Sequence, residues 1–487
     1  MYLKPVLYLI VAVICLCQPV TAQKKMTLSL QEAIGVARGE SLLAKQIEAD
    51  YSSYVHRYNS FKASLKPQLS LDGTLPSYDR SLLNITQPDG SYKVQSVQRS
   101  ILGSNLTISQ NIFWTGGNIF VSSGANLFTN KGTGLDQRQW QTAPFQVGII
   151  QPLSLFNTVK WNFEQEKLRM KQATKQQIEL YENLSGQITE AYFALYVSKM
   201  VLNNARQNVA VNDTLYKIST GRFNVGRIAE NELLQVELQL MNAHNAVTQG
   251  EVNVQANAKR LANLLGLDNN TEFELVPVTD APVFAVDMKR AVEEAKHNRS
   301  DMLGFDLQEN NARRQVRQSQ SNAFASGNIR LSYGLNQTAM TLAGAYQNPL
   351  DFQQVNIGYS LPLFGFGRNR HDIAASKANL ESAQAQIAFQ KKTFELEIEN
   401  TVNQFLQLQS ALMISAKSDT IAQKRYEVAR NRYMLGKISI TDLGLAQEAK
   451  DNAVVDYVRM LQQYWQSYYD IRRVTLYDFE KNLPITN

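Results

Sequence analysis

The sequence predicts an α+β fold in which an opening helix, a set of β-strands and a long coiled-coil helical hairpin occur twice in tandem. Proline placement is the first sign: of 12 prolines, none falls between Leu153 and Val276 or between Leu363 and Leu483. The second sign is a repeat. "YKISTGRFNVGRIAENEL", residues 216–233, returns 210 positions later as "YEVARNRYMLGKISITDL", residues 426–443, with Tyr, Arg, Gly, Ile and Leu at matching places. The third is the alternating, Gly-, Ser-, Thr- and aromatic-rich sequence between the proline-free blocks, which reads as strands.

Residues 1–22 read as a secretory signal peptide, with Lys4, an apolar run from Val6 to Leu16 and cleavage after Ala22. The run is too short to span a membrane as a helix. Cys15 and Cys17 would leave with it, and neither sits in a lipoprotein box. The mature chain then has no disulfide, no thiolate nucleophile and no Cys-ligated metal. Losing Lys4 leaves 48 basic against 43 acidic residues, a mild excess gathered in no block, so nucleic acid is not an expected partner. No later run of 18 apolar residues occurs. If the mature protein enters a membrane, it does so as a β-barrel.

Residues 23–66 form the first opening helix, 67–157 the first strand zone, 158–270 the first long hairpin and 271–285 a linker. Residues 286–326 open the second repeat, 327–365 hold its strands, 366–478 form its hairpin and 479–487 a C-terminal tail. In the second hairpin Leu380, Ala383, Ile387, Phe394, Ile398, Val402, Phe405, Leu408 and Leu412 keep helical spacing. A pattern of that length is a coiled coil or helical repeat. The first arm of each hairpin should run nearly 60 residues, on the order of 85 Å at about 1.5 Å per residue. The duplication extends past the turns: Gly148 pairs with Gly358, Pro152 with Pro362 and Asp268 with Asp478 at the 210 offset. The opening helices instead match at 258, Ala33 with Ala291 and Ala37 with Ala295. The 48-residue difference is an insertion in the first strand zone, one extra hairpin.

Two to four strands per half cannot close a barrel, and an open edge is not viable in lipid. Strands that enter a membrane must therefore share one barrel among several copies. Phe113, Trp114, Trp140, Phe156, Trp161, Phe364 and Phe366 gather at strand ends. They suit either a membrane aromatic girdle or the filling of a soluble β-core.

At this point the residues carry a family resemblance over essentially the whole mature chain. "LSLQEAIGVA", "SLPLFGFGRNRHDIAASKANLESAQAQ" and the two Gly-containing turns ending in Glu232-Leu233 and Asp442-Leu443 resemble the TolC family of outer membrane efflux proteins. The resemblance implies an α+β membrane protein of a Gram-negative envelope. In it a homotrimer shares a 12-stranded barrel in outer membrane lipid and extends a helical tunnel through the periplasm. It further implies a passive channel of a tripartite efflux or type I secretion system. The implied partners are a periplasmic adaptor (membrane fusion) protein and an inner-membrane pump of the RND or ABC type. Two departures stand out. The first strand-to-helix junction, "PLSLFNTVKWNFEQEK", lacks the glycines of "PLFGFGRNR". The family's periplasmic constriction often has two carboxylates three residues apart; here Asp442 fits the first, but Leu445 occupies the second.

The repeated turns sit at the hairpin tips. Gly226 and Gly436 allow left-handed backbone, Arg227 and Lys437 follow, and Glu232 and Asp442 begin the return helices. Turn and capping chemistry alone accounts for one such copy. With two, and with the resemblance, Gly226, Arg227, Gly436 and Lys437 become candidates for adaptor docking, and Glu232 and Asp442 for a cation-friendly constriction. Enzyme chemistry is not expected. His56, His244, His297 and His371 are far apart, no hydrolase, metalloprotease or nucleotide motif occurs, and "FGFGR" lacks the Lys-Ser/Thr of a phosphate loop. No cofactor or metal is expected. The rival readings are a secreted coiled-coil filament or surface protein of flagellin type, and a periplasmic adaptor. An adaptor normally carries one hairpin rather than two.

Overall fold

The computed structural model describes residues 25–87, 89–131, 137–278 and 281–486; the expected signal peptide lies outside them. In chain order the first repeat comprises β1 (Lys25–Leu28), α1 (Leu30–Glu40), α2 (Leu42–Ser64), β2 (Gln68–Thr86), β3 (Tyr92–Asn111), β4 (Asn118–Lys131), β5 (Gln137–Pro152), α3 (Thr158–Asn224) and α4 (Glu230–Leu265). After β6 (Glu272–Leu275), the second comprises α5 (Met288–Asn298), α6 (Ser300–Ala323), β7 (Ser326–Ala339), β8 (Leu350–Ser360), α7 (Arg368–Met434) and α8 (Ile440–Thr475). Short strands β9 (Tyr477–Asp478) and β10 (Leu483–Pro484) end it.

The duplication shows in lengths. The first arms α3 and α7 have 67 residues each, and the return arms α4 and α8 have 36 each. The first arms exceed the nearly 60 residues expected because the junction segments around Trp161 and His371 are already helical. Each spans on the order of 100 Å at about 1.5 Å per residue.

One compact unit takes the described residues of 25–50, 175–299 and 394–486. Ser29 caps α1 with a reciprocal box: its Oγ accepts from the Glu32 backbone N–H at 3.3 Å, and its own N–H donates to Glu32 Oε2 at 2.8 Å. β1 and β6 pair in parallel from Lys25↔Glu272 to Leu28↔Leu275, and the Tyr192 hydroxyl lies 2.7 Å from the Val276 carbonyl. Glu182, 1% exposed, is held between two arginines, Arg38 at 2.8 Å and Arg472 at 2.8 Å. Arg472 also pairs with Asp478. Burial alone would release the Arg472 proton more readily, but the two carboxylates outweigh it and raise the pKa. A carboxylate so buried is tolerable only when its oxygens are fully paired. The predicted apolar stripe of α7 is buried at Phe394, Ile398, Val402, Phe405, Leu408 and Leu412.

The second unit holds Tyr51–Thr174 and Ser300–Thr393 and contains the sheet, six antiparallel strands in the order β2-β3-β4-β5-β7-β8. The resemblance implies four strands per protomer; the inserted residues supply two more in the same sheet. Register gives each face its character. One row across the sheet reads Leu69–Ile108–Val121–Val147–Tyr333–Gln353; the next, pointing the opposite way, reads Ser70–Thr107–Ser122–Gln146–Gly334–Phe352. The apolar face lies open: Leu69 is 67% exposed, Leu71 71%, Val355 70% and Ile357 61%. On the other face Phe120 packs across Gly148, where a Cβ would meet its ring at 2.5 Å. That close approach explains the glycine.

Candidate functional site

Two candidate regions emerge, the hairpin tips in the first unit and the strand rim in the second. At both tips the first arm ends in the same Schellman geometry. The Arg227 N–H donates to the Arg222 carbonyl at 2.8 Å and the Gly226 N–H to the Phe223 carbonyl at 2.8 Å. In the second copy Lys437 donates to Arg432 at 2.9 Å and Gly436 to Tyr433 at 2.9 Å. Gly226 and Gly436 both have φ +68°, a backbone that other residues adopt at a cost. The repeat thus preserves a backbone shape.

The return helices start differently. Ser439 caps α8 with a box in which its Oγ accepts from the Asp442 N–H at 3.1 Å and its hydroxyl lies 2.8 Å from Asp442 Oδ2. Ala229 stands at the matching place of α4 and makes no side-chain cap; Glu230 and Glu232 occupy that first turn. Asp442 is therefore a capping residue as well as an exposed carboxylate, whereas Glu232 is exposed with no cap role. Leu445, three residues beyond Asp442, is 54% exposed.

The two tips share one apolar core. Leu215 on α3, Val236 on α4, Tyr426 and Tyr433 on α7, and Ile440 and Leu443 on α8 are buried together. The Arg222 guanidinium sits 5.5 Å over the Tyr433 ring, and Gln235 Nε2 donates to Thr441 Oγ1 at 3.2 Å. Above this core a cavity of about 680 Å³ opens among α3, α4 and α8. Its wall includes Asn208, Gln235, Gln239, Leu445, Glu448 and Asp451. Asn208 donates to Asp451 at 2.6 Å. Sequence reading missed this polar lining; the Gln and Asn richness of the hairpins was its only trace.

The aromatic residues divide between the ends of the sheet. At the helix-junction end, Phe113 meets Trp114 edge-on at 6.3 Å, Phe156 stacks on Trp161 at 6.2 Å, and Phe364 meets Phe366 at 4.5 Å. Trp114, Phe364 and Phe366 are 84%, 78% and 90% exposed. Trp140 is placed apart from them, paired with Leu127 and Ala339 near the other end. The two junctions use different chemistry. Asn157 caps α3 by accepting from the Lys160 N–H at 3.0 Å and donates to the Phe113 carbonyl at 2.9 Å. The second junction instead turns through left-handed Phe366 and Gly367, φ +47° and +84°. That is why the second junction needs Gly367, which has no counterpart at Asn157.

Among the described residues no cluster of three His, Cys, Asp or Glu side chains could hold a metal ion, and no helix is long and apolar enough to cross a membrane. The profile of a family described as outer membrane efflux protein matches residues 37–267 and 291–475. The chain is 22% identical over 306 residues to outer membrane protein TolC of Salmonella enteritidis; the match spans 60% of this chain and 60% of that relative's length. The fold is similar to the solved Campylobacter jejuni CmeC outer membrane channel, with a TM-score of 0.67 at 15% identity over 94% of this chain and 87% of that one. The outer membrane protein VceC from Vibrio cholerae gives 0.65 at 15% identity over 94% and 96%. With two repeats in place and the family profile matched through both, the chain belongs to the outer membrane efflux protein family.

Proposed function

We propose that three copies of this protein form a passive conduit from the periplasm to the exterior, serving a tripartite efflux or type I secretion system. The observation that carries this reading is the two-faced sheet, apolar and exposed on one side, polar on the other. Such alternation is the signature of a barrel wall with lipid outside and water inside. Both edge strands, β2 and β8, pair on one side only, so a single chain leaves backbone groups that lipid cannot satisfy. Helical seams add support. Ile414, Ile421 and Val428 recur every seven residues along α7, and Leu435 keeps the spacing just past its end; they are 68%, 57%, 58% and 70% exposed. Leu234, Leu238 and Met241 make a similar open stripe on α4. Apolar heptad stripes of this kind are covered by a neighbouring helix.

In this reading the tips, at Gly226, Arg227, Gly436 and Lys437, dock a periplasmic adaptor coupled to an inner-membrane pump of the RND or ABC type. Glu232 and Asp442 ring the periplasmic opening, and the junction aromatics with Trp140 mark the two membrane interfaces. The pump supplies the energy. The test is the oligomer mass of the detergent-purified mature protein together with its conductance in planar bilayers. A trimer that opens ion channels is expected. A water-soluble monomer without conductance would overturn the proposal and favour the secreted coiled-coil filament.

A further inference from the structure

The inserted hairpin β2–β3 is bonded into the sheet along its length, and this bears on how wide the shared barrel is. β3 pairs with β4 from Asn111↔Asn118 to Gln98↔Lys131, and with β2 from Gln68↔Ser109 to Thr86↔Tyr92. The apolar row runs into both inserted strands through Ile108 and Leu69. We propose, resting on the shared-barrel reading above, that all six strands of each protomer enter the wall. β8 of one copy then pairs with β2 of the next, and the trimer closes 18 strands in place of 12.

Three properties of the sheet support this seam. Strand direction is the first. Six strictly alternating strands leave β2 and β8 running in opposite directions, so β8 meets a neighbour's β2 in the antiparallel sense that the rest of the sheet uses. Stagger is the second. The row Gln68–Ser109–Phe120–Gly148–Ser332–Gln354 starts at the first residue of β2, yet β8 continues from Gln354 to Ser360, six residues further toward the helix junctions. That is one residue of stagger per strand. Eight strands with a shear of eight tilt by about 36°, and membrane barrels tilt by about 35–45°. The sheet is therefore already sheared to close.

Chemistry is the third. With Ser360 level with the neighbour's Gln68, Ile357 falls beside Leu71 and Tyr359 beside Leu69, so the apolar face continues across the seam. The straight part of β2, Gln68 to Thr74, precedes the register shift between Thr74 and Ser77, where Pro76 could not donate to a ladder. Were β8 to pair with β4 instead, the whole β3–β4 ladder would have to be given up, and Leu69 and Leu71 would lose their place in lipid. Because diameter grows roughly linearly with strand number, the lumen would be about 1.5 times as wide as that of a 12-stranded barrel.

Cysteine pairs decide it, using the mature full-length trimer in outer-membrane fractions. Ile357→Cys is combined in turn with Leu69→Cys, Leu71→Cys and Gly73→Cys on β2. A second series combines it with Ile119→Cys, Val121→Cys and Ser123→Cys on β4, the positions that face it if β8 pairs with β4. Each variant is checked as an SDS-resistant trimer under reducing conditions, and only those that pass are oxidised. Expected is a shift of the denatured band to dimer and trimer mass in the β2 series alone, strongest with Leu71→Cys. A shift confined to the β4 series would overturn the six-strand wall and leave the shared channel standing. No shift in either series, from chains that are trimeric, would overturn this seam and the shared barrel together.

Discussion

The two hairpin tips descend from one duplicated segment, yet they are buried unequally. Leu443 is 1% exposed and Tyr433 6%, while their counterparts Leu233 and Phe223 lie half-buried and 37% exposed. The Schellman turn is the same in both. What differs is the packing beside it: the second copy buries Tyr426, Tyr433, Ile440 and Leu443 in the shared core, whereas the first buries Leu215 and Val236 and packs Val211 and Tyr216 against them half-buried. Backbone geometry has survived the duplication, whereas side-chain burial and capping have diverged. The second tip acts as the anchor and the first as the more exposed face.

The strongest way to break this comparison is to hollow the core from each side. Leu443→Ala should cost roughly 2–5 kcal/mol of local stability, and Leu233→Ala markedly less. Hydrogen–deuterium exchange of tip peptides in the purified trimer would measure both; equal losses would refute the anchor. Next come the glycines. A Cβ at Gly226 or Gly436 would meet nothing within 4 Å, so Ala there carries only the cost of the left-handed backbone. That is about 1–2 kcal/mol, and exchange should speed equally at the two tips. A smaller effect tests the caps. Ser439→Ala should cost about 1 kcal/mol, while Ala229→Ser should slow exchange at the start of α4 by creating a cap the first copy lacks.

The subtlest test separates charge from capping at the proposed constriction. Asp442→Asn keeps an oxygen for the cap and removes the charge, so cation selectivity in planar bilayers should fall while tip exchange changes by only a few tenths of a kcal/mol. Glu232→Gln, which loses no cap and only its interaction with the helix dipole, should lower selectivity with a similarly small change in exchange. Unchanged selectivity in both would remove these carboxylates from the pore.

Much of the secondary structure was legible because periodicity is local. The absence of proline through residues 153–276 and 363–483 and the apolar spacing from Phe394 to Leu412 mark helices without any knowledge of their neighbours. The turn glycines announced their left-handed backbone for the same reason. Less legible was the candidate site. Nothing in "KISITDL" distinguishes a capping Asp442 from a pore-lining one, because both uses need an exposed carboxylate in the first turn of a helix. The aromatic residues were legible as a group but not as two groups, since Trp140 parts from Trp114 and Trp161 only once the register of β5 is known.

The sequence by itself determined the duplication, the helical arms, the turn geometry and the alternation of the strands, all set by contacts within a few residues along the chain. Tertiary structure alone decided that the inserted hairpin joins the sheet, that one register row is apolar from Leu69 to Tyr333, and that Glu182 sits between Arg38 and Arg472. Most of these pairings join residues well separated in the sequence. Their energies depend on which partner arrives, and no local pattern specifies that.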